Sequence, residues 1–349
     1  MRIRGIGRIE HVARRVLRRF ESKALILLYH RVVELPSPDP YLLGVTSQHF
    51  SEHLQTLRKY GQPMQLQQLV GVLRDGSLPR RAIIVTFDDG YADNLYQARP
   101  LLERYDIPAT VFVTAGYIEQ EREFWWDELE RLLLQPGTLP EKLHVNVDGS
   151  THEWNLGEVA RYRQEEYEHH CHWNYGKDDK PTLRHHIFLS LYRLLRHLPD
   201  GKRQKVLKEL TVCAGTKPTV RRTHRALLRD EVIHLVDGKL IEVGCHTMAH
   251  PILSSLPELE QWNEIQGSKK HLEQLLGRKL SSFAYPHGSR SDYTPETVAI
   301  VRGAGFTCAC SNFADIVCRS SDPFELPRMQ VENWDGDELD RRLREWFGG

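Results

Sequence analysis

An α/β fold, a parallel sheet or β/α barrel wrapped by helices, is what the amino-acid sequence predicts. Two observations carry that expectation. Runs such as Ala24-Leu25-Ile26-Leu27-Leu28-Tyr29 and Ala82-Ile83-Ile84-Val85-Thr86-Phe87 are almost unbroken apolar stretches, as strands covered on both faces require. Between them lie segments whose apolar residues recur three and four apart, the spacing of helices packed on one face. A third observation concerns polar residues. His30, Asp88-Asp89, His246 to His250 and Tyr285 to Gly288 each follow directly on a predicted strand. In a β/α barrel the strand C-termini converge on one mouth, where catalytic residues gather.

Taken in order, residues 2–19 hold seven arginines and one acid, Glu10, with Ile6, Ile9, Ala13, Val16, Leu17 and Phe20 at helical spacing. A basic amphipathic helix over 1–22 is expected, either packed on the main domain or lying on an anionic membrane surface. It has no continuous apolar core and no small-residue cleavage site, so it does not read as a secretory signal; a cytoplasmic location, peripheral at the inner membrane face, is the expectation. The barrel domain, 23–349, begins with the strand at 24–29. Phe50 to Tyr60 and Leu66 to Leu73 are helical in pattern, 82–87 is the second strand, 94–105 a helix and 109–114 the third strand.

The rhythm breaks at about 120–225, which reads as a mainly helical insertion. Phe124-Trp125-Trp126 leads a helix, Asp148-Gly149 marks a hairpin turn, and 183–212 is a long amphipathic segment. Strand and helix then alternate again: strands at 240–245, 282–285 and 306–310, helices at 262–276, 294–304 and 339–347.

With 349 residues the chain has room for one large domain or two ordinary ones. Lys+Arg and Asp+Glu both number 47, so the net charge is zero and no basic footprint for nucleic acid exists. No apolar run approaches the roughly 18 residues of a membrane span. The 6 cysteines are scattered without a C-x-x-C pair, which favours reduced thiols over a disulfide framework. Cys308 and Cys310, alternate residues of a strand, read as core. His169-His170-Cys171-His172, with His185-His186, reads as a solvated polar face.

His246-Thr247-Met248-Ala249-His250 sets two imidazoles four residues apart, able to share a metal if the segment is helical or turn-like. With one carboxylate of Asp88-Asp89 they make three protein ligands and leave positions open, the form of a catalytic site. The second carboxylate is free to act as a general base on water.

Thr86-Phe87-Asp88-Asp89-Gly90, the H-T-x-x-H of 246–250 and Phe283-Ala284-Tyr285-Pro286-His287-Gly288 resemble three ordered motifs of the polysaccharide deacetylases, the NodB-homology family or carbohydrate esterase family four. The resemblance runs over about 24–118 and 228–335 and implies a distorted (β/α) barrel of the NodB-homology type. It makes Asp88 the general base and Asp89, His246 and His250 the ligands of one divalent metal ion, Zn²⁺ foremost, with Co²⁺, Ni²⁺ or Mn²⁺ compatible. The family's third motif usually reads R-x-P-Y-G. Here Ala284 replaces the arginine and His287 the tyrosine, so the oxyanion role passes to the His287 backbone N–H, with Tyr285 and Pro286 beside it. Arg328 is the candidate to orient Asp88 in place of the missing arginine. A late L-x-H motif is absent, and Leu28-Tyr29-His30 stands at the front, as in circularly permuted relatives. That implies His30 as the general acid. Tyr91, next to the Asp-Asp-Gly turn, and Trp126 are candidates to line the substrate cleft, while Trp125-Trp126 also fit the role of core anchors.

The resemblance implies a metal-dependent hydrolase that removes an N-acetyl or similar N-acyl group from an amino sugar in a polysaccharide, oligosaccharide or lipid-linked precursor. Hydrolysis of a small non-sugar amide on the same barrel, or glycan binding without catalysis, are the alternatives.

Overall fold

A computed structural model of the chain describes residues 22–34, 39–120, 122–217 and 219–348. The basic helix expected over 1–22 lies outside them, apart from Ser22. Seven strands form the main sheet: β1 (Ala24–Tyr29), β2 (Ala82–Phe87), β3 (Ala109–Val113), then β4 (Ile241–Cys245), β5 (Ser282–Ala284), β6 (Cys308–Cys310) and β7 (Met329–Gln330). Their order is β6-β5-β4-β3-β2-β1-β7, with Gln62–Pro63 added beside β2, and every pairing in this sheet is parallel. The sheet curls into an open, barrel-like shell. Its two edges are linked by a parallel bridge, Cys310 to Leu326, in the segment that leads into β7.

Alternation along the strands sorts side chains onto two faces. Leu25, Leu27, Tyr29, Ile83, Val85, Phe87, Val111 and Val113 pack outward under the helices. Those helices include α1 (Ser47–Tyr60), with Phe50, Leu54 and Leu57 buried, and α10 (Gly336–Phe347), with Leu339 and Leu343 buried. Ile26, Ile84, Phe112, Ala284, Cys308, Cys310 and Leu326 fill the inside of the curl, where Cys308 and Cys310 are core residues. The same cluster takes Leu66, Leu69, Val70 and Leu73 of α2 (Leu66–Asp75). Gln67 of that helix reaches Thr307 and Cys308 at the start of β6, so α2 closes the end of the shell where strands begin. The other end, where strands finish, stays open to ligands.

α3 (Arg99–Tyr105) leads into β3, and between β3 and β4 the chain adds α4 (Trp125–Leu134), an antiparallel hairpin over Lys142–Val147 and Ser150–Asn155, α5 (Leu183–Leu195) and α6 (Asp200–Cys213). Asp148 and Gly149 take φ of 52° and 88° at the hairpin tip, the turn that a tight hairpin needs. The long segment expected over 183–212 is two helices, because Pro199 cannot continue the first and caps the second. These elements share a second core, with Trp125, Leu129, Val145, Phe188 and Leu207 in it. His185 departs from the expected solvated face. It is buried against Trp173 at 4.7 Å between ring centroids, with its Nδ1 2.9 Å from Thr182 Oγ1. All six cysteines are free.

Three further helices, α7 (Arg229–Leu235), α8 (Glu258–Leu276) and α9 (Pro295–Gly303), belong to the outer layer. Gly244 in β4 shows how tightly the curl is filled: a Cβ there would sit 2.4 Å from Phe112 and 2.8 Å from Ser282 Oγ. Gly244→Ala is expected to lower stability by about 1–3 kcal/mol through overpacking, read from the denaturant midpoint at unchanged m value.

Candidate active site at the strand C-termini

The parallel ladder sets the site. Tyr29 pairs with Phe87, and Asp88 N–H donates to Tyr29 O at 3.0 Å, so His30 and Asp88 leave neighbouring strands side by side. Cys245 pairs with Val113, and His246 N–H donates to Val113 O at 3.1 Å. His30, Asp88, Asp89, His246, His250, His287 and Trp126 then line one cleft of about 410 Å³.

Asp88 is buried and gripped by Arg328 through two parallel bonds, Nη1 to Oδ1 and Nη2 to Oδ2, each 2.7 Å. Arg328 is itself fully buried, and its Nε donates to Ser311 O at 2.7 Å. Burial pushes the Asp88 carboxyl up, but the Arg328 guanidinium together with His246 and His30 holds the group below the ordinary carboxylate value.

Asp89, His246 and His250 form a separate triad whose ligand atoms lie within 4.8 Å of one another. His246 Nε2 is 3.6 Å and His250 Nε2 3.4 Å from Asp89 Oδ1, which is buried and has no hydrogen-bond partner. His246 Nδ1 lies 2.8 Å from Ala284 O and donates to it, which leaves the Nε2 lone pair facing Asp89. An orphaned carboxylate oxygen facing two imidazole nitrogens is a donor set that fits a divalent cation. Burial, with the neighbouring His287 and His246, holds His250 well below its ordinary pKa, in the neutral form that can donate a lone pair.

The 246–250 segment is not helical, as the four-residue spacing would allow. Thr247 and His250 take φ of 63° and 55°, in the left-handed region, as do Asp89 (72°) and His287 (59°). Such residues cost on the order of 1–3 kcal/mol each and persist only where their surroundings fix them. Here Glu264 of α8 accepts from Met248 N–H and Ala249 N–H at 2.8 and 2.9 Å, and Arg203 of α6 donates to Ala249 O at 2.7 Å. Thr247 Oγ1 accepts from His250 N–H, and Gly116 N–H donates to Met248 O at 2.9 Å. Glu264 and Arg203 carry no local signal in the sequence, since each reads as an ordinary polar residue of an amphipathic helix.

Three expected contact residues sit elsewhere. Tyr285 turns away from the cleft: its ring stacks on Tyr293 at 4.1 Å and its hydroxyl donates to Phe324 O. Pro286 is buried in the turn, and Gly288 N–H donates to its carbonyl. Tyr91 is fully buried, because the Gly90 turn, φ 82°, delivers it to the core of residues 124–210 instead of the cleft. Its hydroxyl donates to Asp127 Oδ2 at 2.6 Å and accepts from Trp126 Nε1 at 2.8 Å. Trp126 lines the cleft with its ring against His250, 4.7 Å between centroids. Asp127, missed in the sequence, is buried and its carboxyl is pushed up to about 8, chiefly by desolvation.

The family profile described as polysaccharide deacetylase matches residues 75–174 and 205–309, more than half of the chain. This chain belongs to that family. A poly-beta-1,6-N-acetyl-D-glucosamine N-deacetylase of Staphylococcus aureus is 26% identical over 114 residues, 29% of this chain and 39% of that protein. The curated relatives are matched over half of their own length or less. Among solved structures, IcaB from Ammonifex degensii aligns with TM-score 0.58 at 19% identity, over 94% of this chain and 98% of its own. The Streptococcus pyogenes deacetylase PplD in complex with acetate aligns with TM-score 0.53 at 17% identity, over 93% and 99%. At those identities the structures establish the shared fold: a mostly parallel, curled sheet ringed by helices.

Gly116 presses on the strained loop, since a Cβ there would lie 2.4 Å from Met248 O. Gly116→Ala is expected to displace the 246–250 segment and weaken Co²⁺ or Zn²⁺ affinity by about 10–100-fold, measured by competition with a chelating dye.

Proposed function

We propose that this polysaccharide deacetylase-family chain removes an N-acetyl or similar N-acyl group from an amino sugar by metal-dependent hydrolysis. The observation that carries the reading is the division of labour between two adjacent carboxylates: Asp88 is fully paired to Arg328, while Asp89 faces two imidazole nitrogens with an unpartnered oxygen. One is kept ionised as a base, the other is left to hold a cation. A divalent ion on Asp89, His246 and His250, Zn²⁺ by the mixed oxygen and nitrogen donor set, would supply Lewis-acid polarisation of water and of the acyl carbonyl.

Asp88, ionised at neutral pH, accepts a proton from the attacking water, and Arg328 fixes its two oxygens while it does so. The water oxygen adds to the acyl carbon, and the His287 backbone N–H donates to the carbonyl oxygen as negative charge develops there. His30 then protonates the sugar nitrogen, the C–N bond breaks, and an amine and a carboxylate leave. Burial holds the His30 imidazole below its ordinary pKa, against the pull of Asp89 and Asp88. A neutral resting imidazole must collect the proton it passes on, and protonated Asp88 in the same cleft is the group that has gained one.

Among the described residues no helix is long and apolar enough to cross a membrane. A membrane-surface role for residues 1–22 and a cytoplasmic location belong to the same proposal.

Acetate release from N-acetylglucosamine oligomers should require Zn²⁺ or Co²⁺, vanish on chelation and fall at least about a thousandfold in Asp88→Asn. Full activity after chelation, or in the variant, would remove this reading; release only from small non-sugar amides would replace it with the amidase alternative.

Arg328→Lys keeps a positive charge but loses the two-pronged grip. Asp88 ionisation is favoured by Arg328, so the variant's Asp88 pKa rises and the acidic limb of the kcat/KM profile should move to higher pH, with part of the lost rate recovered on raising the pH. A profile merely scaled down at every pH would contradict the role given to Arg328.

A further inference from the structure

Deepening the deacetylase reading above, on which it rests, we infer that the cleft wall carried by the end of α5 is a subsite for an anionic group, a phosphate or a carboxylate, on the saccharide that bears the N-acyl group.

The cleft has two unlike walls. On the strand side each acid already has an opposite charge or a cation-binding partner set: Asp88 with Arg328, Asp89 with the imidazoles. On the α5 side stand Arg193 and Arg196, three residues apart and therefore on one helix face. Arg193 is exposed and makes no hydrogen bond or ion pair to any described residue. Arg196 reaches Asp292 only through a long 3.4 Å contact, and its buried Nε has no partner. Nearby, the buried His287 Nε2 is also unpartnered. Asp292, the carboxylate on this wall, already accepts from Ser289 N–H and Ser289 Oγ at 2.9 and 2.5 Å.

Arginine in the last turn of a helix is ordinary, because it complements the helix dipole. Two arginines that both face a cleft with donors left over are not explained by the dipole. A neutral glycan offers hydroxyls, which acids and amides bind well and guanidinium groups only poorly exploit. A planar guanidinium matches a phosphate or carboxylate with two parallel bonds. Tyr192 and Tyr175 line the same cleft.

The test compares acetate release from the methyl glycoside of N-acetylglucosamine, from N-acetylglucosamine 1-phosphate and from N-acetylmuramic acid. The wild type is set against Arg193→Gln and the double variant Arg193→Gln/Arg196→Gln. An anionic probe should be preferred in kcat/KM by about tenfold or more at low salt, the preference shrinking as salt rises. The double variant should erase it while changing turnover of the neutral glycoside less than about twofold. Arg193→Gln, an exposed change, should show a partial loss and keeps the test readable if the double variant misfolds. Preference for the phosphate or for the carboxylate probe identifies the source. Equal turnover of all three, or a variant that lowers them alike, overturns the subsite.

Calorimetry on the wild type with glucose 1-phosphate and glucuronate, which carry the anion but no acyl group, separates the two claims. Binding that weakens about tenfold in the double variant supports the subsite even if no probe releases acetate, a result that would instead count against the deacetylase reading. Affinity unchanged by the substitutions, or no binding by the wild type, overturns the subsite whatever the turnover.

Discussion

A carboxylate buried at the end of a parallel strand would ordinarily take up a proton, and Asp88 escapes that fate through Arg328. The pair is held by two 2.7 Å bonds, with Arg328 fully buried and Asp88 nearly so at the wall of the cleft. Removing one member of such a pair costs on the order of 3–5 kcal/mol, because the other charge is left buried alone. Arg328 arrives on the segment that joins the two edges of the sheet. Leu326 bridges to Cys310 of β6, and Met329 pairs with Leu27 of β1. The same segment therefore closes the curl and supplies the counter-charge of Asp88. A shell left open at that seam would lack the guanidinium that favours an ionised Asp88.

The second constraint is the strained 246–250 loop. Its left-handed residues place both imidazoles toward Asp89, and the hydrogen bonds that hold them come from three directions: α8 through Glu264, α6 through Arg203, and the turn after β3 through Gly116. Arg203 and Trp126 both belong to the stretch between β3 and β4. That stretch has its own apolar core, yet it contributes the carbonyl clamp, the ring against His250 and the arginine-bearing wall. It is part of the site's construction as well as of its boundary. Loop strain, clamp and wall would have to vary together in any redesign of this cleft.

These constraints explain what was legible in the residues. β1 and β2 show in the sequence because both faces of each strand are covered, which demands an apolar run whatever the neighbours are. Asp88, Asp89, His246 and His250 show because strand ends and motif spacing are local. β7 is two residues long, and no periodicity can mark it; Arg328 was visible as a candidate, but its partner lies 240 residues away. Tyr285 belongs to the third motif but not to the cleft, because its ring stacks on Tyr293 and its hydroxyl donates to Phe324 O. Tyr91 follows the Asp-Asp-Gly turn, yet Asp127 and Trp126 hold it in the second core. Glu264, Arg203 and Asp127 gain meaning only from what they touch.

Charge matching across the two carboxylates gives the cluster its chemical direction. Asp88 has a permanent counter-charge that cannot leave. Asp89 has none among the described arginines and lysines within its hydrogen bonds; it faces imidazoles instead. Of those, His250 is held neutral, while His246, despite burial, is raised above its ordinary pKa by Asp88 and Asp89. A proton on His246 Nε2 and a divalent cation held by the three side chains would therefore be rival ways of supplying the same missing positive charge, competing for the same lone pair. Below the His246 pKa the proton wins more often; above it the lone pair is free. Asp88 keeps its own counter-charge through that exchange, on Arg328. Separate counter-charges let two touching acids do different work.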